Sequence, residues 1–428
     1  MSTASPETFT RSALPPRFCN LDRLLFAMQQ RGLDGLVAST ALNLFYLSGL
    51  NPIAHKADEP RPYAVVISRH APAAPVLIVA DYYVGSLVSQ PTWIEDIRAF
   101  RAVMLPLDLP PRADDIDRFI PAGGRDLPWM RGVRERFAAG IGAACRGALA
   151  DLKLDTARVG FDDLRFAASL GVDAMQVADG YDALMYARAV KTAVELNLLR
   201  RSTRLNQRAM QDAIAAWQPG MRWREFNQAY HRAVIDLGGF VRDPGAMVWG
   251  HPRGADAAIT LQTGLEDFEM PAGMHVLFDC HGTLDQYCWD GGKTWVVDGE
   301  PEGGARNVAK ATTAAAEAVI AAMKPGARVS ELQAIGRAAY RKAAVSDAER
   351  AIIFFHGLGL SHMDIEQTRA DGSPNVDWAL ECDMVVPLHV LYPGGERERV
   401  WVEEVARVTP DGGEPFFDWG FAPLTGRG

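Results

Sequence analysis

Apolar residues in the first 175 positions alternate between two spacings, which predicts a layered unit of helices and strands. Leu21, Leu24, Leu25 and Met28 fall at helical spacing behind Asn20, a residue type that caps helices, and lead into the short run Leu36-Val37-Ala38. Tyr63 to Ser68 and Val76 to Ala80 read as further strands. The Pro- and Asp-rich stretch from Leu105 to Trp129 reads as a long surface loop. A last helix-then-strand signal ends at Val159-Gly160-Phe161. The pattern predicts a flexible arm over residues 1–19 and a small α/β domain over 20–178.

Beyond residue 179 the texture changes to long amphipathic helices, Thr192 to Trp217 and Trp223 to Leu237, interrupted by Pro219-Gly220. The run Pro219-Gly220-x-Arg222-x-x-Glu225-Phe226 recurs 106 residues later as Pro325-Gly326-x-Arg328-x-x-Glu331-Leu332. The same turn chemistry between two helical segments predicts that residues 179–428 form an internally duplicated domain.

Composition narrows the class. With 428 residues the chain is too long for one ordinary core, and 48% hydrophobic with 23% charged residues is a globular balance. Forty-four Lys and Arg against 53 Asp and Glu give −9, which repels a phosphate backbone, so nucleic acid is not an expected partner. No run of about 20 apolar residues or basic-then-apolar leader occurs, so no membrane association or export is expected. Five cysteines without a CxxC pair point to a reducing, cytoplasmic setting and to neither a disulfide framework nor a zinc knuckle.

The chemistry concentrates late in the chain. Six of nine histidines, at 251, 275, 281, 356, 362 and 389, lie between residues 251 and 389. His275 to His281 reads as a strand, in which Asp279 and His281, two apart, share one face while Cys280 points into packing. Asp290 follows 11 residues after Asp279, as on an adjacent strand behind a tight turn at Gly282 to Gln286. Two buried carboxylates meeting across strands repel unless a proton or a divalent ion neutralises them. Isolated histidines such as His55, His70 and His231 read as surface or core residues.

Asp279, Asp290 in the setting Tyr-x-x-Asp-x-x-Lys-Thr, His356-Gly357-Leu358-Gly359-Leu360-Ser361-His362 and Val402-Glu403-Glu404-Val405 together resemble the pita-bread family of methionine aminopeptidase, aminopeptidase P, prolidase and creatinase. Leu36 to Leu50 resembles the small N-terminal domain of its creatinase and prolidase branch. The resemblance implies an α+β fold: a C-terminal, internally duplicated pita-bread domain behind a smaller N-terminal α/β creatinase-like domain. It places Asp279, Asp290, His356 and Glu403 on metal-ligand positions, with Asp290 and Glu403 bridging if two ions are held. His362 falls where a family histidine lines the substrate pocket and stabilises the developing oxyanion. Asp364 is a weaker candidate for the same pocket. A homodimer is also implied.

Three departures qualify the match. Counting from Met384 puts His389 where the family carries a ligating glutamate that also serves as base. The histidine that family peptidases keep about 17 residues before the first Asp is missing from Ile259 to Thr263, leaving His251 as a distant substitute. His281 stands where the family usually has glycine. The expected centre is therefore Asp279, Asp290, His356, His389 and Glu403, with His281 a further candidate ligand, holding one or two divalent ions of Zn, Fe or Mn.

These features predict a metal-dependent hydrolase of a C–N bond in a small amino-acid-like substrate, amide, peptide or amidine, outside classical Xaa-Pro peptidase activity. His362, Glu403 and His281 are its expected catalytic residues. Two other readings compete: a metal-dependent lyase like the dimethylsulfoniopropionate lyases of the family, and a binding protein without catalysis. Glu404 is expected to point away from Glu403, toward solvent or another partner, and Gly394 to Arg399 to form a solvated hairpin.

Overall fold

The structure, a computed structural model, describes residues 9–10, 12–51, 62–102, 113–172, 176–249, 261–262, 267–345 and 347–426. His55 and His251 lie outside them. The chain divides into two compact units: Ala13–Arg188 with Glu366–Asn375, and Ala189–Ile365 with Val376–Gly428 and the N-terminal residues to Ser12.

The first unit begins with α1 (Leu21–Gln30), β1 (Gly35–Ala38), α2 (Ala41–Ser48), β2 (Tyr63–Ser68), β3 (Val76–Ala80) and β4 (Asp96–Phe100). It continues through α3 (Pro128–Glu135), α4 (Ile141–Asp151), β5 (Val159–Phe161), α5 (Leu164–Leu170), β6 (Val177–Asp179) and α6 (Tyr181–Ala189). Its mixed sheet runs β4-β3-β2-β1-β5-β6. Asn20 caps α1 as its residue type predicted, accepting from the Arg23 amide. The strands β1, β2 and β3 are buried at every position, which explains their unbroken apolar runs.

The expected loop from Leu105 to Trp129 is corrected where it is described. Ala113–Phe119 and Ala122–Gly124 are 3-10 helical, α3 already starts at Pro128, and Ile116 and Ile120 are buried. Two apolar side chains four residues apart anchor a segment that its Pro and Asp content made look solvated.

The second unit contains α7 (Ala193–Ala216), α8 (Trp223–Asp236), β7 (Phe240–Trp249), β8 (Leu261–Gln262), β9 (His275–Leu284), β10 (Tyr287–Trp289) and β11 (Gly292–Val297). Then follow α9 (Gly303–Ala322), α10 (Val329–Lys342), β12 (Ile352–Phe355), β13 (Val385–Tyr392), β14 (Val400–Thr409), β15 (Gly412–Pro415) and β16 (Leu424–Gly426). The main sheet is antiparallel along β12-β13-β14-β11-β9-β7-β8.

The duplication is visible in the turns. Gly220 and Gly326 adopt φ of +87° and +91° between the paired helices, values open to glycine. The Arg222 amide donates to Glu225 and the Arg328 amide to Glu331, both at 2.9 Å. The Arg222 guanidinium clamps the side chain and carbonyl of Asp267, and Arg328 does the same to Asp377.

Alternation along the strands decides what faces what. Val276, Phe278 and Cys280 of β9 pack in a core with Met210, Phe226 and Tyr230 of α7 and α8. Leu388, Val390, Val402 and Ala406 of β13 and β14 pack with Ala315, Val319 and Leu332 of α9 and α10. The intervening positions therefore emerge on the opposite face, where Leu277, Leu391 and Trp401 form a small cluster. Among the described residues, no helix is long and apolar enough to cross a membrane.

Candidate metal centre

Sheet register assembles the site. β9 and β10 are joined by Asp285-Gln286 alone, both at positive φ, so the hairpin is tighter than the five-residue turn its sequence suggested. Gly291, at φ +88°, shifts the returning chain, and Gly292 then lies opposite both Asp279 on β9 and Glu403 on β14. A Cβ on Gly292 would meet the Phe278 carbonyl at 2.0 Å, so only glycine fits this rung. Glu403 pairs in turn with His389 on β13, and His389 with Phe354 on β12. One row across the sheet thus runs Phe354, His389, Glu403, Gly292, Asp279. His356 follows β12 directly, and Asp290 sits between β10 and β11.

Within this row the ligand-type atoms crowd together. His362 Nε2 is 2.8 Å and His356 Nε2 3.5 Å from Asp290 Oδ2. His281 Nδ1 is 2.9 Å from Asp290 Oδ1, and its Nε2 is 3.6 Å from Asp279 Oδ1. Glu403 Oε1 lies 3.0 Å from His389 Nε2 and 3.6 Å from His356 Nε2, while the two imidazole nitrogens are 3.1 Å apart. Asp279, Asp290 and Glu403 also present oxygens within 4.8 Å of one another. The structure thus brings together Asp279, Asp290, His356, His389, Glu403, His281 and His362. All are buried to nine-tenths or more except His281 at 13% and His362 at 46% side-chain exposure, so access is from the His362 side.

The electrostatics of the cluster call for a cation. Burial, then Asp290 and Asp279, raise the Glu403 carboxyl well above its usual range. Burial also opposes charge on Asp290, but His281 and His362 outweigh it and hold that carboxyl low. Burial works against His281 as well, and Asp279 with Asp290 overcome it to favour the imidazolium. His356 is lowered, chiefly by burial. Asp279 Oδ1, His281 Nε2, Asp290 Oδ2 and both Glu403 oxygens are buried and form no well-directed hydrogen bond, although imidazole nitrogens stand 2.8 Å from Asp290 Oδ2 and 3.0 Å from Glu403 Oε1. Ligand atoms bound about 2.0–2.2 Å from one ion stand about 3–3.5 Å apart at its coordination edges. The distances here match, and the mixed carboxylate and imidazole donors suit a divalent metal.

Surrounding residues hold this arrangement. Lys191 and Asp364 form a fully buried ion pair at 3.3 Å, and Asp364 also accepts from the Leu360 and Ser361 amides and the Ser361 hydroxyl. Asp364 thus braces the loop carrying His356 and His362, a role its sequence position did not disclose. Asn206 Nδ2 donates to the Gly291 carbonyl beside Asp290 and its Oδ1 accepts from Tyr230. The motif-based reading passed over Lys191, Asn206 and Trp401, whose indole reaches His389 at 3.4 Å.

The expected solvated turn holds at Glu396, Arg397 and Glu398, which are exposed, and is corrected at its last residue. Arg399 is buried, and its Nε donates to the His275 carbonyl, because the Gly394 to Arg399 turn folds back onto β9. Glu404 points away from Glu403 and, of the two alternatives expected, meets another partner and not solvent: it is buried on the helix side and accepts from the Phe416 and Phe417 amides. Burial pushes its carboxyl up to about 8.

The sequence matches the model of metallopeptidase family M24 over residues 197–410. The fold resembles an Xaa-Pro dipeptidase from Bacillus anthracis, at TM-score 0.67 and 16% identity, covering 95% of this chain and 99% of that one. It also resembles the dipeptidase PepE from Mycobacterium ulcerans, at TM-score 0.64 and 20% identity over 95% and 97%. A prolidase from Pyrococcus furiosus gives TM-score 0.59 at 15% identity over 92% and 98%. No curated protein sequence matches significantly.

Proposed function

The chain belongs to metallopeptidase family M24, and from that premise we propose that it is a metal-dependent hydrolase of a C–N bond in a small, amino-acid-like substrate. The observation that carries this reading is the buried cluster of carboxylates and imidazoles around Asp279, Asp290 and Glu403, five of whose polar atoms make no well-directed hydrogen bond. Desolvating them without compensation costs several kcal/mol, and a divalent ion removes that cost. The same observation speaks against a binding protein without a metal. No feature of the site favours elimination over hydrolysis.

Asp279, Asp290, His356 and Glu403 are the residues proposed to hold the ion, with His281 beside Asp279 and Asp290. A divalent ion there supplies a Lewis acid that polarises a carbonyl and acidifies water. His362 is the half-exposed member of the cluster, and its ring stacks on His356 at 4.5 Å. From that position its imidazole meets the substrate and donates to the oxygen on which charge develops. His281 keeps Asp290 in place through Nδ1, at 2.9 Å. Glu403 is the carboxylate left to take a proton from water, since His389 stands where the resemblance implies the base. That substitution is why an amide or amidine of a small amino acid is proposed over a classical Xaa-Pro dipeptide.

Elemental analysis of the purified protein, followed by a turnover screen of dipeptides, N-acyl amino acids and cyclic amidines, tests the reading. Stoichiometric metal lost in His356→Ala together with turnover supports it. A folded, metal-free protein inactive on every class after metal addition refutes it. Homodimerisation is proposed on the resemblance alone, and sedimentation equilibrium decides it.

A further inference from the structure

We propose that His389 is not a ligand of the centre but a fixed N–H donor inside it, and that the centre consequently holds one ion. This rests on the reading that a divalent ion binds here, and it revises the expectation that His389 ligates. An imidazole binds a cation through an unprotonated nitrogen, so its other nitrogen carries the proton and needs an acceptor. His356 meets that requirement. Its Nδ1 lies 3.1 Å from the Gly357 carbonyl oxygen, which can only accept, so the lone pair is at Nε2.

His389 has the opposite arrangement. Its Nδ1 faces the indole nitrogen of Trp401 at 3.4 Å, and an indole N–H can only donate. The neutral ring therefore keeps its lone pair at Nδ1 and its proton at Nε2. That Nε2 lies 3.1 Å from His356 Nε2, which has just been assigned a lone pair. The chain of donors closes without conflict: Trp401 donates to His389, His389 to His356, and His356 to the Gly357 carbonyl. The reverse tautomer would set two N–H groups against each other at Trp401, a clash that no cation relieves. Phe354, stacked on His389 with ring centroids 3.8 Å apart, holds the imidazole in this plane.

The consequence concerns ion number. His356, His389 and Glu403 bound a corner that could otherwise take a second cation. A proton at His389 Nε2 points into that corner and repels it. If His356 gave its lone pair to an ion beside Asp290, 3.5 Å away, the His389 N–H would still have Glu403 Oε1 within 3.0 Å as acceptor. Glu403 then offers the ion its second oxygen. Where the resemblance implies a carboxylate that binds metal and accepts protons, this chain carries a group that gives a hydrogen bond and positions Glu403.

Metal content and X-ray absorption of the full-length protein reconstituted with zinc test this, with circular dichroism confirming that each variant is folded. The wild type is expected to hold one ion per chain. His389→Gln, which keeps an N–H donor and lacks an imidazole, is expected to leave both metal content and the number of coordinated imidazoles unchanged. His389→Glu removes the proton, restores a carboxylate and is expected to raise the content to two ions. Trp401→Phe removes the indole donor, frees the tautomer and is expected to add one coordinated imidazole. Two ions in the wild type, loss of an imidazole in His389→Gln, or a single ion in His389→Glu would each overturn the inference and leave the metal centre standing. A folded wild type that binds no zinc would overturn the centre itself.

Discussion

Gly359→Ala adds a single methyl group to the loop that carries His356 and His362, and its effect follows from distances. The added Cβ would lie 2.0 Å from Asp364 Oδ2 and 2.7 Å from Lys191 Nζ, where ordinary contact begins at 3.4 Å. The Asp364 carboxylate must therefore retreat by about 1.4 Å. That motion breaks its bonds to the Leu360 amide at 3.0 Å and the Ser361 amide at 3.2 Å, together with the 3.3 Å pair with Lys191. Both ionic side chains are buried, at 0% and 1% exposure, so solvent does not replace what is lost. Breaking a buried ion pair costs about 3–5 kcal/mol, a large part of the roughly 5–15 kcal/mol that holds a domain folded. Denaturant titration of the metal-free protein reads this loss directly, and zinc affinity should fall with it as His356 shifts. Gly304→Ala is the control: a Cβ there meets nothing within 4 Å on α9, so the change should stay within about 1 kcal/mol. A Gly359→Ala variant that loses less than about 1 kcal/mol would show that Asp364 does not brace this loop.

Three further outcomes are expected. Zinc at 1,000 times its dissociation constant should stabilise the fold by about 4.1 kcal/mol, because only the folded chain gathers the carboxylates, and a chelator should reverse the rise in melting temperature. An unchanged melting temperature in calorimetry contradicts the centre. His362→Ala should lower kcat by about 10²–10³ on the best substrate of the screen while metal content stays constant. Parallel loss of metal would make His362 a ligand instead. Asn206→Ala removes the acceptor of the Tyr230 hydroxyl proton and the donor to the Gly291 carbonyl, bonded at 2.9 and 3.0 Å, and should cost about 1–3 kcal/mol in urea denaturation. A neutral result there would mean that water replaces both bonds.

What could be read from the chain depended on how far each partner lies along it. Asp279 and His281 were placed on one face because a strand repeats every two residues, and that argument needs no other part of the molecule. The Pro-Gly repeat likewise showed a duplication because each copy is local, with its Arg and Glu three residues apart. Asp267 and Asp377, the acids those arginines clamp, stayed invisible, since nothing beside them in sequence marks them as partners. Charge density misled at Arg399 for the same reason. A run of alternating charges looks solvated until strand β9 is laid beside it. Glu404 was correctly turned away from Glu403, but its acceptors' donors come from Phe416 and Phe417, on a segment with no signal of its own.

His389 shows most sharply where residue type ceases to be enough. A histidine at a carboxylate's position reads as a substitute ligand, because imidazole and carboxylate both bind divalent ions. Whether it binds depends on which nitrogen holds the proton, and that is fixed 12 residues away by Trp401 on the neighbouring strand. In sequence Trp401 is one more apolar residue in a β-run, and only the pairing of Leu391 with Trp401 and of His389 with Glu403 brings its N–H to the ring. The identity of the first neighbours was thus legible from spacing, while their protonation was written in the second neighbours through register. A site in which a donor-only indole sets the tautomer of a buried imidazole uses hydrogen-bond polarity to decide how many cations it admits. That makes Trp401, rather than any residue carrying charge, the position at which ligation by His389 should be easiest to switch on.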